Sequence, residues 1–328
     1  MSDAPPFFVV GNDRSGTTML RLVLDRSAEA AVPPESMFLV DTAAARRSGD
    51  LGDAAEAARL LERIWEHPRV RGWGLPREPP PVPAGLSHSG AYRFAVEAPF
   101  RAYASLAGKS RWGDKTPAYL HQVDELFAVW PDARLIVLVR DGRDVALSIM
   151  GLPFGPNNVW AAARTWAAGI RRGQEAERRH PNQVLTLRYE DLASEPKREV
   201  ERACEFLGLA FDEAMLAIEE TDAAKLAMGQ EGWFTSVWAG INTSAVGKWR
   251  REMTPAQQAV FAAVAGDELR ALGYETAEGV APPAAHGRAV AYGAHDAAMR
   301  AVNFVRLRVL EERGRELSYV LRRKLGRA

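Results

Sequence analysis

The chain has 328 residues, with 42 basic and 42 acidic side chains and a formal net charge of zero. This length is enough for a substantial core, and the balanced charge argues against a protein that coats nucleic acid. Its single cysteine, Cys204, excludes an intrachain disulfide and a cysteine-based metal site. No leader pattern opens the sequence and no apolar run approaches the ~18 residues that cross a bilayer, so we expect a soluble, cytoplasmic protein.

The first apolar run, Phe7–Val10, is short and continuous, which predicts a buried strand. The loop Gly11-Asn-Asp-Arg-Ser-Gly-Thr-Thr follows, and a helical pattern runs over Thr17–Ser27. A glycine-bounded loop between a strand and a helix directs backbone N–H groups into one concavity at the positive end of the helix dipole. The spacing is that of a nucleotide-triphosphate loop, but Thr17 stands where a kinase or ATPase needs Lys. The loop is therefore predicted to bind a phosphate without handling a transferable γ-phosphoryl group.

Further strands are predicted at Leu135–Val139 and Val184–Leu187, and Ser110–Gly113 is the candidate for a shorter fourth strand. The proline-rich stretch Leu75–Leu86 predicts a surface connection or lid. Helices are predicted at Ala54–His67, Ala118–Trp130, Asn158–Arg179 and Glu195–Leu207, and from an N-cap at Thr254. Alternating strands and helices predict an α/β fold, with a P-loop-like parallel sheet flanked by helices and ligands at the carboxyl ends of the strands.

A Gly-, Pro- and Ala-rich boundary near Gly279–Gly287 separates a predicted main domain, residues 1–278, from a C-terminal extension, residues 286–328. The extension has ten basic and four acidic residues, with apolar residues at helical spacing. It is predicted to be helical and is compatible with a membrane-surface or partner helix. We favour a helix that docks on its own domain or on a second subunit of a homodimer.

A second anion site is predicted after the Leu135–Val139 strand, where Arg140 is followed by Gly142 and Ser148. Arginine presents a forked donor suited to phosphate, and serine adds a hydroxyl donor. Taken alone, this pair is equally compatible with an anion site and with an ordinary solvated loop. Two strand-end anion sites together, however, suit a ligand with phosphates at both ends of a ribose.

With these motifs the chain resembles the sulfotransferases that use 3′-phosphoadenosine 5′-phosphosulfate (PAPS). The resemblance implies that the first loop holds the 5′-phosphosulfate and that Arg140 and Ser148 hold the 3′-phosphate. Two more segments are similar to family motifs: Tyr189-Glu190-Asp191 to a strand-terminal Tyr-Glu-Asp, and Gly247–Arg250 to a late Gly-x-Trp loop over the cofactor. The implied cofactor-binding residues are Arg14, Ser15, Gly16, Thr17, Thr18, Arg140, Ser148, Tyr189, Gly247, Lys248, Trp249 and Arg250. The similarity covers residues 7 to about 250.

Arg14 stands where cytosolic small-molecule enzymes carry Lys, so the loop resembles the tyrosylprotein-sulfotransferase branch and its bacterial relatives. In that branch the resemblance implies Glu35 as the general base, with Arg14 and Lys115 acting on the sulfuryl group. The catalytic His of cytosolic enzymes is replaced by Pro117, and His121 is an alternative base. Simpler interpretations stay open: an exposed glutamate at a helix start, a surface lysine, a core tyrosine at 189 and a packing tryptophan at 249.

The implied function is transfer of a sulfuryl group from PAPS to a hydroxyl or amine of a small-molecule, lipid or glycoside acceptor. Transfer would be an in-line displacement that releases 3′,5′-ADP and requires no metal. Two alternatives stay open: a P-loop kinase or NTPase, and a nucleotide-binding scaffold without catalysis. The acceptor pocket is expected among the segments Asp41–Gly108, Gly151–Trp160 and Lys225–Thr243.

Overall fold

The computed structural model describes residues 4–48, 54–150, 152, 154–218, 241–276 and 290–303. The chain divides into two compact units: Met1–Arg140 with Gly169–Val246, and Asp141–Ala168 with Gly247–Ala328. Several sequence-based predictions lie outside the described residues: the boundary at Gly279–Gly287, residues 304–328 of the predicted extension and residues 225–240 of the predicted acceptor segment.

A five-stranded parallel sheet forms the centre of the first unit, in the order β2-β3-β1-β4-β5. The strands are β1 (Phe7–Gly11), β2 (Ala30–Ala31), β3 (Arg111–Lys115), β4 (Arg134–Val139) and β5 (Val184–Arg188). The register places Phe7 opposite Gly113 on one side and Arg134 on the other. Strand β1 is thus central, and its carboxyl end lies where the connections diverge to both sides, the usual ligand position in such sheets. The α/β prediction is confirmed.

Helices follow and precede the strands along the chain. They are α1 (Thr17–Asp25), α2 (Phe38–Ser48), α3 (Ala54–Trp65), α4 (Pro68–Arg71), α5 (His88–Leu106), α6 (Val123–Val129), α7 (Gly142–Ile149), α8 (Val159–Arg179), α9 (Tyr189–Ser194), α10 (Pro196–Leu207), α11 (Trp249–Glu252) and α12 (Pro255–Ala271), with 3-10 turns at Pro117–Gln122 and Glu213–Leu216. The single helix predicted over Ala118–Trp130 is wrong in its first half, which is the 3-10 turn that opens at Pro117. The stretch 75–86 has no regular structure and is largely exposed, as predicted for a surface connection.

An aromatic cluster fixes strand β3 in the first unit. The Trp112 ring stacks on Phe100 of α5 with a centroid distance of 4.6 Å, and it meets Phe8 of β1 edge-on at 6.0 Å. A Cβ on Gly113 would lie 2.3 Å from the Phe7 ring, so glycine there lets the neighbouring strand's side chain pack on the backbone. Packing on both sides of β3 therefore holds the strand that ends in Lys115.

Two helices of the second unit begin at side-chain caps. Asp141 caps α7 by accepting from the backbone N–H of Arg143 at 2.9 Å. Thr254 and Gln257 form a capping box at the start of α12, as predicted.

Residues 290–303 of the predicted C-terminal extension are helical and dock within the second unit. Asp296 accepts from the backbone N–H of Asn157 at 2.7 Å and pairs with Arg300 on its own helix. This part of the extension therefore packs on its own chain. Across the described ranges, no helix has both the length and the hydropathy needed to span a bilayer.

Candidate functional site

The predicted anion loop connects β1 to α1 and includes two residues in the left-handed conformation. Arg14 and Gly16 both have positive φ, 69° and 92°, and α1 begins without a side-chain cap. The first N–H groups of a helix have no intrahelical acceptor, so an uncapped start with left-handed residues in front forms an anion-binding concavity. A Cβ on Gly16 would lie 2.4 Å from the Tyr189 ring, which restricts this position to glycine.

The buried hydroxyl of Ser15 indicates whether the loop suits a phosphate. Its side chain is fully buried, and its Oγ has no hydrogen-bond partner in the described part of the chain. A buried hydroxyl without a partner is costly unless a ligand supplies one. The uncapped start of α1 and this hydroxyl together fit an anion with several acceptor oxygens, such as a phosphate.

Glu35 and Lys115 meet beside this loop. The Lys115 Nζ atom lies 2.5 Å from Glu35 Oε1 and donates to Thr18 Oγ1 at 3.2 Å. Lys115 is the last residue of β3, and Glu35 follows the adjacent strand β2, so pairing of those strands brings the two residues together. The Arg69 guanidinium lies 3.9 Å from the other Glu35 oxygen. The structure thus assembles an anion loop, a carboxylate and a buried ammonium at one sheet edge.

The electrostatics of this pair differ between its partners. Burial lowers the pKa of Lys115 more than the attraction of Glu35 raises it. For Glu35, burial alone would raise the pKa, but the positive charges of Lys115, Arg69 and Arg21 outweigh it, and the pKa lies below its ordinary value. At neutral pH the carboxylate is ionised and can accept a proton.

Arg140 and Tyr189 join the same loop from β4 and α9. Arg140 donates from Nη1 to the backbone oxygen of Arg14 at 3.0 Å and from Nη2 to that of Ala245 at 2.6 Å. Its guanidinium carbon lies 4.5 Å from the centroid of the Tyr189 ring, the same ring that packs on Gly16. Burial and the charge of Arg140 lower the pKa of Arg14. Two cations held this close are favourable beside an anionic ligand.

The remaining predicted cofactor residues lie in the second unit, namely Ser148 on α7 and Gly247, Lys248, Trp249 and Arg250 around the start of α11. Within that unit, the Asp144 carboxylate accepts from the backbone N–H groups of Gly247 at 2.7 Å and Trp249 at 2.9 Å. The Arg143 guanidinium lies 3.5 Å from the Trp249 ring centroid. Asp144 thus holds the Gly-x-Trp segment within the second unit.

Sequence reasoning missed four buried side chains behind the Glu35–Lys115 pair: Ser36, Asp114, Thr116 and Tyr119. Asp114 and Thr116 flank Lys115, Ser36 follows Glu35, and the four are linked by hydrogen bonds. Polar residues about 80 positions apart in the chain give no local pattern. Only the contact between the segments after β2 and β3 reveals them.

The parallel sheet and the glycine-bounded loop after β1 define an α/β protein of the P-loop-like class. The sequence profile of the "Sulfotransferase family" matches residues 5–213, and that of the "Sulfotransferase domain" matches residues 158–273. The chain belongs to the sulfotransferase family.

Similar proteins of known sequence include the nodulation protein NoeE of Sinorhizobium fredii, 28% identical over 82% of this chain and 65% of that protein. The chain therefore spans just under two thirds of NoeE. A putative protein-tyrosine sulfotransferase of Caenorhabditis briggsae is 24% identical over 74% of this chain and 79% of its own length.

Among solved structures, the chain is similar to the sulfotransferase domain of the Synechococcus PCC 7002 olefin synthase. The TM-score is 0.55 at 21% identity, over 84% of this chain and 98% of that one. It is also similar to the sulfotransferase domain of the curacin biosynthetic pathway, with a TM-score of 0.53 at 18% identity, over 84% of this chain and all of that one. At these identities the likeness shows the shared fold.

Proposed function

We propose that the protein transfers a sulfuryl group from PAPS to a hydroxyl or amine of a small-molecule, lipid or glycoside acceptor. The observation that carries this proposal is the 2.5 Å contact between Lys115 Nζ and Glu35 Oε1, directly beside Thr18 of the anion loop. Family membership makes the P-loop kinase or NTPase alternative the weaker one.

The chemistry follows from what sulfuryl transfer requires. PAPS supplies the sulfuryl group and a phosphate-terminated leaving group when bound. Glu35, ionised and beside a cation, takes the proton that the acceptor loses. Lys115 and Arg14 balance the negative charge that develops around the sulfuryl group, as cations do in phosphoryl transfer. A buried lysine suits this role because its charge is little screened by water.

The binding roles are divided between the two predicted anion sites, one in the loop after β1 and one after β4. In the first, the residues that would hold the 5′-phosphate are Ser15, Gly16, Thr17 and Thr18, through backbone N–H groups and hydroxyls. Arg140, with Tyr189 against it, would bind the 3′-phosphate. The corresponding roles of Ser148 and of Gly247–Arg250 are proposed from the family resemblance alone.

The acceptor class is proposed from two considerations. A carboxylate base suits an alcohol, phenol or amine that loses one proton on attack. One similar protein carries a name that refers to protein tyrosine, so a tyrosyl peptide belongs in the test beside small-molecule, lipid and glycoside acceptors. We place small-molecule, lipid and glycoside hydroxyls first.

Donor binding is tested by thermal unfolding with 3′,5′-ADP without metal, compared with ATP and Mg²⁺. We expect 3′,5′-ADP to raise the melting temperature and ATP with Mg²⁺ to have little effect, because Thr17 replaces the lysine of a kinase loop. A preference for ATP with Mg²⁺ would instead support the kinase alternative.

Turnover is then measured with ³⁵S-labelled PAPS on a panel of a phenol, a long-chain alcohol, a glycoside, an amine and a tyrosyl peptide. Glu35→Gln should lower kcat on any active acceptor by about 10²- to 10⁴-fold while the Kd for 3′,5′-ADP stays unchanged. His121→Gln serves as the control for the alternative base and should leave kcat unchanged. Tight 3′,5′-ADP binding without turnover on any acceptor would favour the non-catalytic scaffold.

A further inference from the structure

A buried chain of hydrogen bonds leads from the Glu35 segment to the end of β3. The Leu39 N–H donates to Tyr119 Oη at 3.1 Å, and Tyr119 Oη lies 2.7 Å from Ser36 Oγ. Ser36 Oγ donates to Asp114 Oδ2 at 2.9 Å. Since the single proton of the Ser36 hydroxyl goes to Asp114, the Tyr119 hydroxyl is the donor in its contact with Ser36. Every donor in this chain therefore points toward Asp114.

A second chain of hydrogen bonds ends on the other oxygen of the same carboxylate. The Ser36 N–H donates to Thr116 Oγ1 at 3.1 Å, and Thr116 Oγ1 donates to Asp114 Oδ1 at 3.1 Å. Ser36, Asp114, Thr116 and Tyr119 are each at most 1% exposed. The two chains tie both the backbone and the side chain of residue 36 to Asp114, so the residue after Glu35 is anchored to the residue before Lys115.

We propose that Asp114 is a positioning residue that, through Ser36, Thr116 and Tyr119, holds the Glu35 carboxylate on the Lys115 ammonium. This inference rests on the proposed function, in which Glu35 and Lys115 act on the reacting groups. Asp114 is fully buried and accepts hydrogen bonds from Ser36 and Thr116, the residues that follow Glu35 and Lys115, so its effect on the pair passes through these neighbours.

The charge environment is consistent with a network that is built around one carboxylate. Burial raises the pKa of Asp114 to about 7, although the hydrogen bonds from Ser36 and Thr116 and the charge of Lys115 lower it. Glu35 is the nearby like charge that adds to the increase. Burial and Asp114 also raise the pKa of Tyr119, which keeps the phenol protonated and able to donate.

The test measures the pKa of Glu35 by carboxyl ¹³C NMR on the free full-length protein, with the resonance assigned by its loss in Glu35→Gln. Tyr119→Phe and Thr116→Val each remove one hydroxyl with little change of shape. We expect each to raise the pKa of Glu35 by at least about half a unit, because a misplaced carboxylate loses contact with Lys115. We also expect kcat on the acceptor found above to fall about 10- to 100-fold, with the Kd for 3′,5′-ADP unchanged.

Matched controls separate positioning from general loss of packing. Tyr92→Phe removes another buried tyrosine hydroxyl, which lies 3.1 Å from Thr42 Oγ1, and should leave the Glu35 pKa unchanged. Thr116→Ser keeps the hydroxyl and should restore the wild-type value that Thr116→Val loses. Asp114→Asn replaces one accepting oxygen with an amide NH₂ group that faces the donor hydroxyls. Wherever this variant folds, it should raise the pKa of Glu35, as Tyr119→Phe does.

The outcomes separate this inference from the proposed function. A Glu35 pKa and kcat that stay at wild-type values in Tyr119→Phe and Thr116→Val overturn the positioning role and leave the proposed function standing. A wild-type protein that neither binds 3′,5′-ADP nor turns over PAPS overturns the proposed function, whereas the NMR titration still decides whether the network sets the Glu35–Lys115 contact.

Discussion

The two partners of the Glu35–Lys115 pair differ in burial, so we expect removal of each charge to lower the free energy of unfolding by a different amount. The Lys115 side chain is 3% exposed and that of Glu35 is 18% exposed. Glu35→Gln strands a buried ammonium, and we expect it to lower the free energy of unfolding by about 3 kcal/mol. Lys115→Met leaves a carboxylate that still has Arg69 at 3.9 Å and some access to water, so we expect a loss of about 1 kcal/mol.

The double variant sharpens this prediction. When both charges are removed, no buried charge is left without a partner. The double variant Glu35→Gln with Lys115→Met should therefore lower the free energy of unfolding by no more than about 1 kcal/mol, well short of the sum of the two single losses. Urea unfolding of the four proteins at pH 7 measures the cycle. Equal losses from the two single variants, or a larger loss from Lys115→Met, would refute the reasoning from burial.

A surface pair provides the control. Lys197 and Glu213 also have an Nζ–Oε1 distance of 2.5 Å, but their side chains are 57% and 73% exposed. Lys197→Met and Glu213→Gln should each leave the unfolding curve unchanged.

The lowered pKa of Glu35 adds a pH test. The stabilisation that the ionised carboxylate gives is present above the ordinary glutamate pKa of 4.5 and is lost as the pH falls, so the stability loss in Lys115→Met should become smaller in acid.

Three further predictions concern single positions. Gly16→Ala would place a Cβ 2.4 Å from the Tyr189 ring at a residue with a φ of +92°. We expect it to lower the free energy of unfolding in urea by about 2 kcal/mol or more, and a variant as stable as the wild type would contradict the clash. Because burial raises the pKa of Asp114 to about 7 from 3.8, the fold retains a proton that the unfolded chain releases, and stability should fall between about pH 4 and pH 7 by up to about 4 kcal/mol. Asp114→Asn should flatten that part of the pH profile, and an unchanged slope would mean that another group causes it. Thr254→Ala removes the capping box of α12 and should cost about 1 kcal/mol, whereas Thr254→Ser should cost little.

The strands and the anion loop were predictable because their signals are local. Strands β1 and β4 contain continuous apolar runs, β5 is mainly apolar with Thr186 in its middle, and the loop has its glycines at fixed spacing. Strand β2 has only two residues, too few for any pattern. Helix α5 was not predicted, since Gly90 lies in its first turn and Pro99 in its interior, and both normally argue against a helix.

The site was predictable only as far as the family resemblance reached. Glu35 and Lys115 were identified by similarity and spacing, and the structure brings them into contact. Asp114 and Ser36 carry no such signal, because their partnership depends on the neighbouring positions of β2 and β3 in the sheet. Side-chain networks that join distant segments are set by tertiary packing and stay hidden in a single sequence.

The chain leaves the sheet after Ala31 and returns at Arg111, on the strand immediately beside the one it left. This excursion includes α2, α3 and α5, and its two ends lie one strand spacing apart. Glu35 lies near the start of the excursion, and Lys115 is the last residue of the strand by which the chain returns. Its interior is thus a natural unit for building chimaeras: exchange of residues 38–106 between family members would alter what surrounds the reacting pair while both anchoring ends stay in place.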